Sequence, residues 1–517
     1  MDTTERVAAP ATLRVCAALT LELLSSFIVN TMLFPNVALV MPVAREISTY
    51  SGAAFSIAVA VAAYVRPSLM REGVWSVACL ASTVGAAILL YLGVLTNNTT
   101  LLLLGAPFGG LGSAWLAVLI GVGLANLGAA RAMFAVPAGF VLEYAFRCGL
   151  MALGLPSSMG LATIAFVAAL VASYLFIRHD ARAILESVHD STAPNVLNIT
   201  SPSSYVSFSS LAFVSILLFN IACGFALGEA SSASSVAGAL ISFIPVTIAL
   251  VVVVVRGSIS TDALYRGSML LVFAGLLTTP LLLFGGLLTT PLLLFGGADP
   301  FNMQAHGTLL SAGSDLFNVL MYCFIAAVGA RNKLGAVSVS ASFLATQWLG
   351  IGIGAPIAQF VNEISTSNAT VAAWITMAIT FAFVAYNYIG MRNYSFAETI
   401  EGITPAHTES LMKNTDGEED AAQRAEEAEP AEGLQRKSDD TAFETACAAV
   451  AEKHRLTTRE TEVFELLARG RTSPVIQEKL VLSHNTVKTH VRHIYAKLAI
   501  NSREELLAMI DDETPRG

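Results

Sequence analysis

Long apolar stretches recur along the first 392 residues of the chain, and short polar or charged segments separate them. A helix that spans a membrane needs about 20 mostly apolar residues. By this criterion the chain is predicted to be all-α, with a polytopic membrane bundle over residues 1–392. The pattern predicts twelve spans, centred near residues 23, 58, 82, 112, 142, 167, 216, 244, 280, 318, 347 and 380.

The segment RHDARAILESVHDSTAPNVLNITSPSS, residues 178–204, is polar and separates the first six predicted spans from the last six. Because twelve is an even number, both termini are predicted to lie on one side of the membrane. Lys and Arg resist translocation and so mark the cytoplasmic side, and the loops opposite the termini hold only Arg45. We therefore expect a multi-pass protein of the cell's inner (cytoplasmic) membrane, in contact with lipid. Its two termini and the 178–204 loop are predicted to be cytoplasmic.

The division into six and six spans resembles the architecture of the major facilitator superfamily. That superfamily has a basic loop between its second and third spans. This chain has VRPSLMREG there, with Arg66 and Arg71 but without the family's usual spacing of Asp and Gly. The resemblance implies a transporter-like bundle made of two six-span halves.

Four ionisable residues within predicted spans form a candidate ligand or ion pocket, because charges inside a membrane are costly and mark functional sites by default. Glu143 and Arg147 lie four positions apart and so share one face of the fifth span. They can neutralise each other as a structural ion pair or hold a ligand of complementary charge, and the sequence leaves both open. Glu22 in the first span and Asp315 in the tenth are single acids. Each can line the same pocket, or serve in packing or proton-linked gating.

Two identical copies of GLLTTPLLLFG follow one another at residues 275–285 and 286–296. Identity over eleven residues indicates a recent duplication. With both copies the apolar segment is too long for one untilted span, and with one copy it has an ordinary length. Since Pro280 and Pro291 each remove a helix hydrogen bond, the sequence predicts a lengthened, kinked or partly re-entrant ninth segment.

The composition changes abruptly after residue 392, from apolar residues to Glu, Ala, Asp and Arg. Residues 393–455 contain 15 acidic and 6 basic side chains, a formal charge of −9 that equals the charge of the whole chain. Residues 393–440 are too charged and too poor in apolar residues to fold alone, so we expect an acidic flexible linker. A linker of this length reaches roughly 35–42 Å.

Residues 441–517 are predicted to form a small helical domain with a lead-in helix. After the lead-in, four capping signals occur in close succession, and each predicts the start of a helix. They are Thr457 with Glu460, then Thr472 or Ser473, then Ser483, and finally Ser502 with Glu505.

The third of these helices lies within VLSHNTVKTHVRHIYAKL, residues 481–498, and its two faces differ in chemistry. Residues 479–503 contain five Lys and Arg residues and no acid. A cationic face rich in hydrogen-bond donors suits phosphates and base edges in a DNA major groove. Apolar positions at helical spacing are expected to face the core, and these are Val487, Val491, Ile494 and Leu498.

Several motif blocks over residues 456–511 resemble the LuxR-type helix-turn-helix domain, namely LTTRETEVFELLARG, IQEKL, SHNTVKTHVRHIYAKL and SREELL in this order. The resemblance implies a four-helix domain that binds double-stranded promoter DNA through the helix after Ser483. It also implies a homodimer through the last helix, residues 502–510. By position in the family's motif, Lys488, Thr489 and Arg492 read bases, and Thr486, His490 and Lys497 support backbone contact. The full set of predicted DNA-binding residues is Asn485, Thr486, Lys488, Thr489, His490, Arg492 and Lys497.

Together these features predict a membrane-bound DNA-binding transcriptional regulator that senses a small molecule through its membrane domain. The alternative is a major-facilitator-type transporter whose tail regulates its own expression. An enzyme is not expected, since no nucleophile–base pair or phosphate-binding loop stands out. The six cysteines are scattered without a Cys-x-x-Cys pair, so we expect no disulfide, metal site or cofactor.

Overall fold

A computed structural model describes most of the N-terminal region and parts of the C-terminal region. The chain divides into two compact units, Met1–Ala406 and His407–Gly517. We call them the membrane unit and the C-terminal unit. The described residues are 10–152, 158–190, 210–229, 236–288, 300–392, 394–401, 403 and 456–469, with single positions at 447, 450, 451, 453, 454, 476, 480, 490, 491, 493, 494, 497 and 498.

Twelve long helices form the described part of the membrane unit, and each predicted span centre falls inside one of them. Among the described residues, nine helices are long and apolar enough to cross a membrane. The described regular structure is helical throughout. The twelve helices are Pro10–Ile28 (α1), Ala44–Val65 (α2), Glu72–Leu95 (α3), Thr99–Leu127 (α4), Ala129–Ala152 (α5), Met159–Asp190 (α6), Leu211–Glu229 (α7), Val236–Arg256 (α8), Thr261–Leu288 (α9), Pro300–Arg331 (α10), Ala336–Ser367 (α11) and Ala369–Ala385 (α12).

Helices α4 and α10 lie at the centre of the bundle. In α4 every residue from 112 to 125 is buried, as expected for a helix that is apolar all round. The most apolar windows of α4 and α10 are 83% and 78% buried, against 33% for α3, α6 and α12. The outer helices expose large apolar side chains such as Val77 and Phe381. A surface of this kind is suited to lipid rather than water.

Local capping sets where several of these helices begin and end. The Asn98 side chain accepts hydrogen bonds from the backbone of Thr100 and Leu101 at 2.9 and 3.3 Å, and so starts α4. Gly128 ends that helix with a φ of +86°, a conformation that favours glycine. Asn368 starts α12 in the same manner, through the backbone N–H of Val371 at 3.1 Å.

Glycines allow α7 and α11 to approach each other closely. A Cβ on Gly354 would lie 2.0 Å from the carbonyl oxygen of Ile221, and a Cβ on Gly224 would lie 2.4 Å from that of Ile351. Side chains at these positions would therefore force the two backbones apart. This is the close packing that small residues permit between membrane helices.

Helix α6 continues into the polar segment 178–204 and ends at Asp190. The segment thus begins as helix rather than as an open loop, while residues 191–204 lie outside the described part. An ion pair connects this part of α6 to α1. The Arg14 guanidinium on α1 donates to both carboxylate oxygens of Asp180, at 2.7 and 2.8 Å, and Asp180 is buried.

Helix α9 contains the first copy of the duplicated segment and continues through Pro280 to Leu288. It therefore enters the second copy, 286–296, whose residues from 289 onward lie outside the described part. The predicted kink or re-entrant turn stays a prediction.

Candidate nucleic-acid interface and membrane-unit charge cluster

A small apolar core holds the described residues of the C-terminal unit together. It draws on residues 447–498 alone, and so the unit has a core of its own. The lead-in segment contributes Cys447 and Val450, both fully buried, which places it inside this core. The other buried members are Val463, Phe464, Leu467, Ala468, Ile476, Ile494 and Leu498.

Helix Thr458–Ala468 (α13) begins with the predicted capping box. The Thr457 hydroxyl oxygen accepts from the backbone N–H of Glu460 at 3.3 Å, and the backbone N–H of Thr457 donates to Glu460 Oε2 at 2.8 Å. Both otherwise unpaired N–H groups are satisfied, because each side chain serves the other residue's backbone. Val463 and Leu467, one turn apart on this helix, are buried.

The predicted core face of the helix that contains residues 490–498 is confirmed where the structure describes it. The six described residues between 490 and 498 are helical. Ile494 and Leu498 are buried and Val491 packs against the core. Val487, the fourth predicted core position, lies outside the described residues.

Two of the seven predicted DNA-binding residues lie in the described part, and their surroundings differ from each other. His490 is partly buried on the helix. Lys497 is 36% exposed, and its ammonium is held by Glu460 at 2.6 Å. The other five predicted residues lie outside the described part, and these are Asn485, Thr486, Lys488, Thr489 and Arg492.

Glu460 is the centre of polar contacts in this unit. Its side chain is only 6% exposed, and burial by itself raises the pKa of a carboxyl. The ammonium of Lys497 and the hydrogen bonds from Thr457 outweigh burial, and together they lower the pKa of Glu460 to about 2. The carboxylate is therefore ionised throughout the physiological range. The ring of His493 lies 4.0 Å from its other oxygen.

In the membrane unit, Glu143 and Arg147 form a bidentate ion pair on α5. The guanidinium donates from Nε and Nη2 to the two carboxylate oxygens, both at 2.9 Å, and Glu143 is 1% exposed. Two aromatic rings also lie next to the guanidinium. Its central carbon lies 4.5 Å from the ring centres of Phe27 and Tyr144. The predicted i, i+4 contact exists, and its geometry is that of a mutually neutralised pair.

The other two predicted pocket residues lie beside this pair. The Tyr144 hydroxyl donates to Asp315 on α10, and Asp315 lies within electrostatic range of both Glu143 and Arg147. Glu22 on α1 is 7% exposed and lies within range of Glu143. Its Oε2 atom has no hydrogen-bond partner among the described residues. Three helices thus bring together three acids and one base.

Sequence reasoning missed several residues that complete these sites. Tyr144 and Phe27 are aromatic residues in apolar spans, where their pattern is that of ordinary packing residues. Glu460 was recognised as a helix cap, but its pairing with Lys497 was not. No local pattern indicated that pairing, because the two residues are 37 positions apart in the sequence.

Comparison with known proteins identifies the C-terminal segment. Residues 454–510 match the family described as bacterial regulatory proteins, luxR family. A putative HTH-type transcriptional regulator of Aeromonas salmonicida is 44% identical over 66 residues, which are 13% of this chain and 33% of that protein. The nitrate/nitrite response regulator NarL of Escherichia coli K12 is 33% identical over 60 residues, covering 12% of this chain and 28% of NarL. This chain thus spans a third or less of the length of these relatives.

Two membrane transporters of known structure are similar to the chain. The fucose:proton symporter FucP of E. coli has 14% identity and a TM-score of 0.43, over 72% of this chain and 98% of FucP. The proton:xylose symporter XylE of the major facilitator superfamily has 12% identity and a TM-score of 0.48, over 75% and 96%. The major-facilitator architecture of the membrane unit stays a prediction.

The capping box, the buried face of the helix at 490–498 and the sequence match agree with one another. Residues 454–510 are therefore a helix-turn-helix domain of the LuxR family, in a chain that also holds a bundle of apolar helices.

Proposed function

We propose that this protein is a membrane-bound transcriptional regulator whose C-terminal unit binds promoter DNA. One observation carries the proposal. A LuxR-family domain with its own apolar core is part of the same chain as a helical bundle, in whose described residues nine helices are long and apolar enough to cross a membrane.

The DNA-reading surface is proposed to be the exposed face of the helix after Ser483. Ile494 and Leu498 fix which face of this helix meets the core. On a regular helix, Lys488 and Arg492 then lie on the outer face, one turn apart. They are proposed to contact base edges, and residues 502–510 are proposed to form the homodimer contact that LuxR-type domains commonly use.

The membrane unit is proposed to sense a small molecule at the charge cluster. Arg147 already uses its guanidinium on Glu143 and on two aromatic rings. Asp315 already accepts from Tyr144. Glu22 keeps an unpaired buried oxygen, and buried polar atoms normally have partners. Within this cluster, Glu22 is thus the group best placed to accept a hydrogen bond from a ligand.

A fragment of residues 441–517 tests the DNA-binding part of the proposal. It contains the whole described core, so we expect it to fold and to shift duplex DNA in a gel at low salt. The matched control is Ile494→Asp, which places a charge in that core and is expected to abolish folding and binding together. A folded wild-type fragment that binds no duplex would contradict the proposal.

A further inference from the structure

Lys497 lies between two elements of the C-terminal unit. Its ammonium donates to Glu460 Oε2 at 2.6 Å, across a sequence separation of 37 residues. The same carboxylate oxygen accepts from the backbone N–H of Thr457 at 2.8 Å and so completes the cap of α13. Lys497 therefore joins the end of the DNA-reading helix to the start of α13.

The backbone at position 497 is held as well. The carbonyl oxygen of Lys497 lies 3.2 Å from Nδ1 of His454, which donates in the tautomer protonated at Nδ1. The next residue, Leu498, is buried in the core. The side chain of Lys497, its backbone carbonyl and the buried side chain of Leu498 thus all hold the same end of the helix.

A phosphate contact would compete with this arrangement. The ammonium has three donors, but its single charge is already paired with a carboxylate that is only 6% exposed, and turning it towards a phosphate would weaken that pairing. Taking the counter-ion from a mostly buried carboxylate costs more than a solvent-exposed ion pair returns. The most favourable place for the ammonium is therefore against Glu460, even when the unit is bound to DNA.

We propose that Lys497 and Glu460 are positioning residues that set the orientation of the DNA-reading helix, and that Lys497 neutralises no phosphate. This inference rests on the proposed DNA-binding function. It replaces the backbone-contact role that position in the LuxR motif assigns to Lys497. The pair affects recognition indirectly, because base contacts from Lys488 and Arg492 depend on how the helix is held.

The test uses the full chain in lipid nanodiscs and two 30-base-pair duplexes. One duplex carries the sequence that the wild-type chain selects from a random pool, and the other is its scrambled version. The variants are Lys497→Met, which keeps the side-chain length, and Glu460→Gln, which can keep the capping box but loses the charge. Affinity is measured by fluorescence anisotropy over a salt series, with the active fraction determined by stoichiometric titration. An unfolded subpopulation then lowers the active fraction rather than the affinity.

We expect both variants to lose about tenfold in affinity for the selected duplex, comparable to one lost base contact, and much less for the scrambled one. The slope of log affinity against log salt is expected to stay at the wild-type value. Lys497→Arg, which keeps the charge and a donor, should retain most of the preference. The double variant Glu460→Gln/Lys497→Met should lose no more than either single variant, because both remove the same contact.

A different pattern would overturn the proposal. A phosphate contact predicts that Lys497→Met lowers the magnitude of the salt slope by about 0.9, on both duplexes alike, while Glu460→Gln has no effect. Arg459→Ala is the matched control, since its ion pair with Glu462 is exposed on the same helix and should leave all values unchanged. A wild-type chain that selects no sequence would defeat the DNA-binding function itself, and this inference with it.

Discussion

At the scale of single residues, Glu460 shows how one buried carboxylate can serve two structural purposes. It caps a helix through Thr457 and holds a distant helix through Lys497. Its ionised form is stabilised in the folded chain, since its pKa is lowered from 4.5 to about 2. A carboxyl with a lowered folded pKa contributes stability above its unfolded pKa and loses it as the pH falls towards its folded pKa.

The first prediction concerns this pH dependence in the fragment of residues 441–517. At pH 7 we expect Glu460→Gln to lower the free energy of unfolding by about 1–2 kcal/mol, the value of a hydrogen bond to a charged group in a partly screened setting. The difference from wild type should shrink as the pH falls from about 4.5 towards 2. Urea unfolding of both proteins at pH 7, 4.5 and 3 measures it. A difference that stays constant over this range would contradict the assignment.

The second prediction concerns Arg147 in the membrane unit. Removing it leaves Glu143 buried without its counter-ion, which costs about 3–5 kcal/mol for a buried pair. Arg147→Ala should therefore lower the thermal stability of the protein in detergent much more than the doubly neutral variant Glu143→Gln/Arg147→Gln. Arg182→Ala is the matched control, because its i, i+4 pair with Glu186 is exposed and should contribute little. Equal losses in all three variants would show that the buried pair has no special role.

At the scale of elements, hydrophobic periodicity was sufficient to locate the helices. All twelve predicted span centres lie inside long helices, and the Thr457–Glu460 capping box forms as its spacing predicts. Local signals succeed because a helix and its cap depend on residues within about one turn of each other. The partner of Asp180 near the end of α6 was not predictable, since Arg14 lies 166 residues away in the sequence.

The candidate sites were less predictable than the helices for the same reason. Tyr144 contacts Asp315 over 171 residues, and Lys497 contacts Glu460 over 37 residues. Such partners depend on how elements pack, and periodicity along one sequence carries no information about that packing. The contact between Arg147 and Glu143 is an exception, since it could be predicted from the sequence. Because the two residues are one turn apart, their contact could be predicted, although its bidentate geometry could not.

The third prediction tests the DNA-reading helix. Lys488→Ala or Arg492→Ala in the fragment should each cost about 1–3 kcal/mol of binding on the selected duplex if the residue contacts a base. Binding to the scrambled duplex should weaken less, so the preference for the selected sequence should become smaller. Gel-shift titration measures both, with circular dichroism to confirm that the variants are folded. Full affinity and preference in a folded Lys488→Ala/Arg492→Ala double variant would place the recognition face elsewhere.

At the scale of the whole molecule, the function depends on which side of the membrane carries the C-terminal unit. The fourth prediction is that a reporter active only outside the cytoplasm is silent when fused after Arg392 and active when fused after Asn97. Twelve spans and the Lys/Arg bias together require this result. Activity after Arg392 would put the DNA-binding domain on the wrong side and exclude the proposed function.

The central claim is that the intact, membrane-bound chain occupies promoters in the cell, and genome-wide occupancy of the full-length chain measures it most directly. Cells expressing wild-type chain are compared with cells expressing the Lys488→Ala/Arg492→Ala double variant, and membrane fractionation shows that both proteins stay in the membrane. We expect discrete promoter peaks for the wild-type chain and their loss in the double variant. Membrane-localised wild-type chain without promoter peaks, or peaks unchanged in the double variant, would contradict the account.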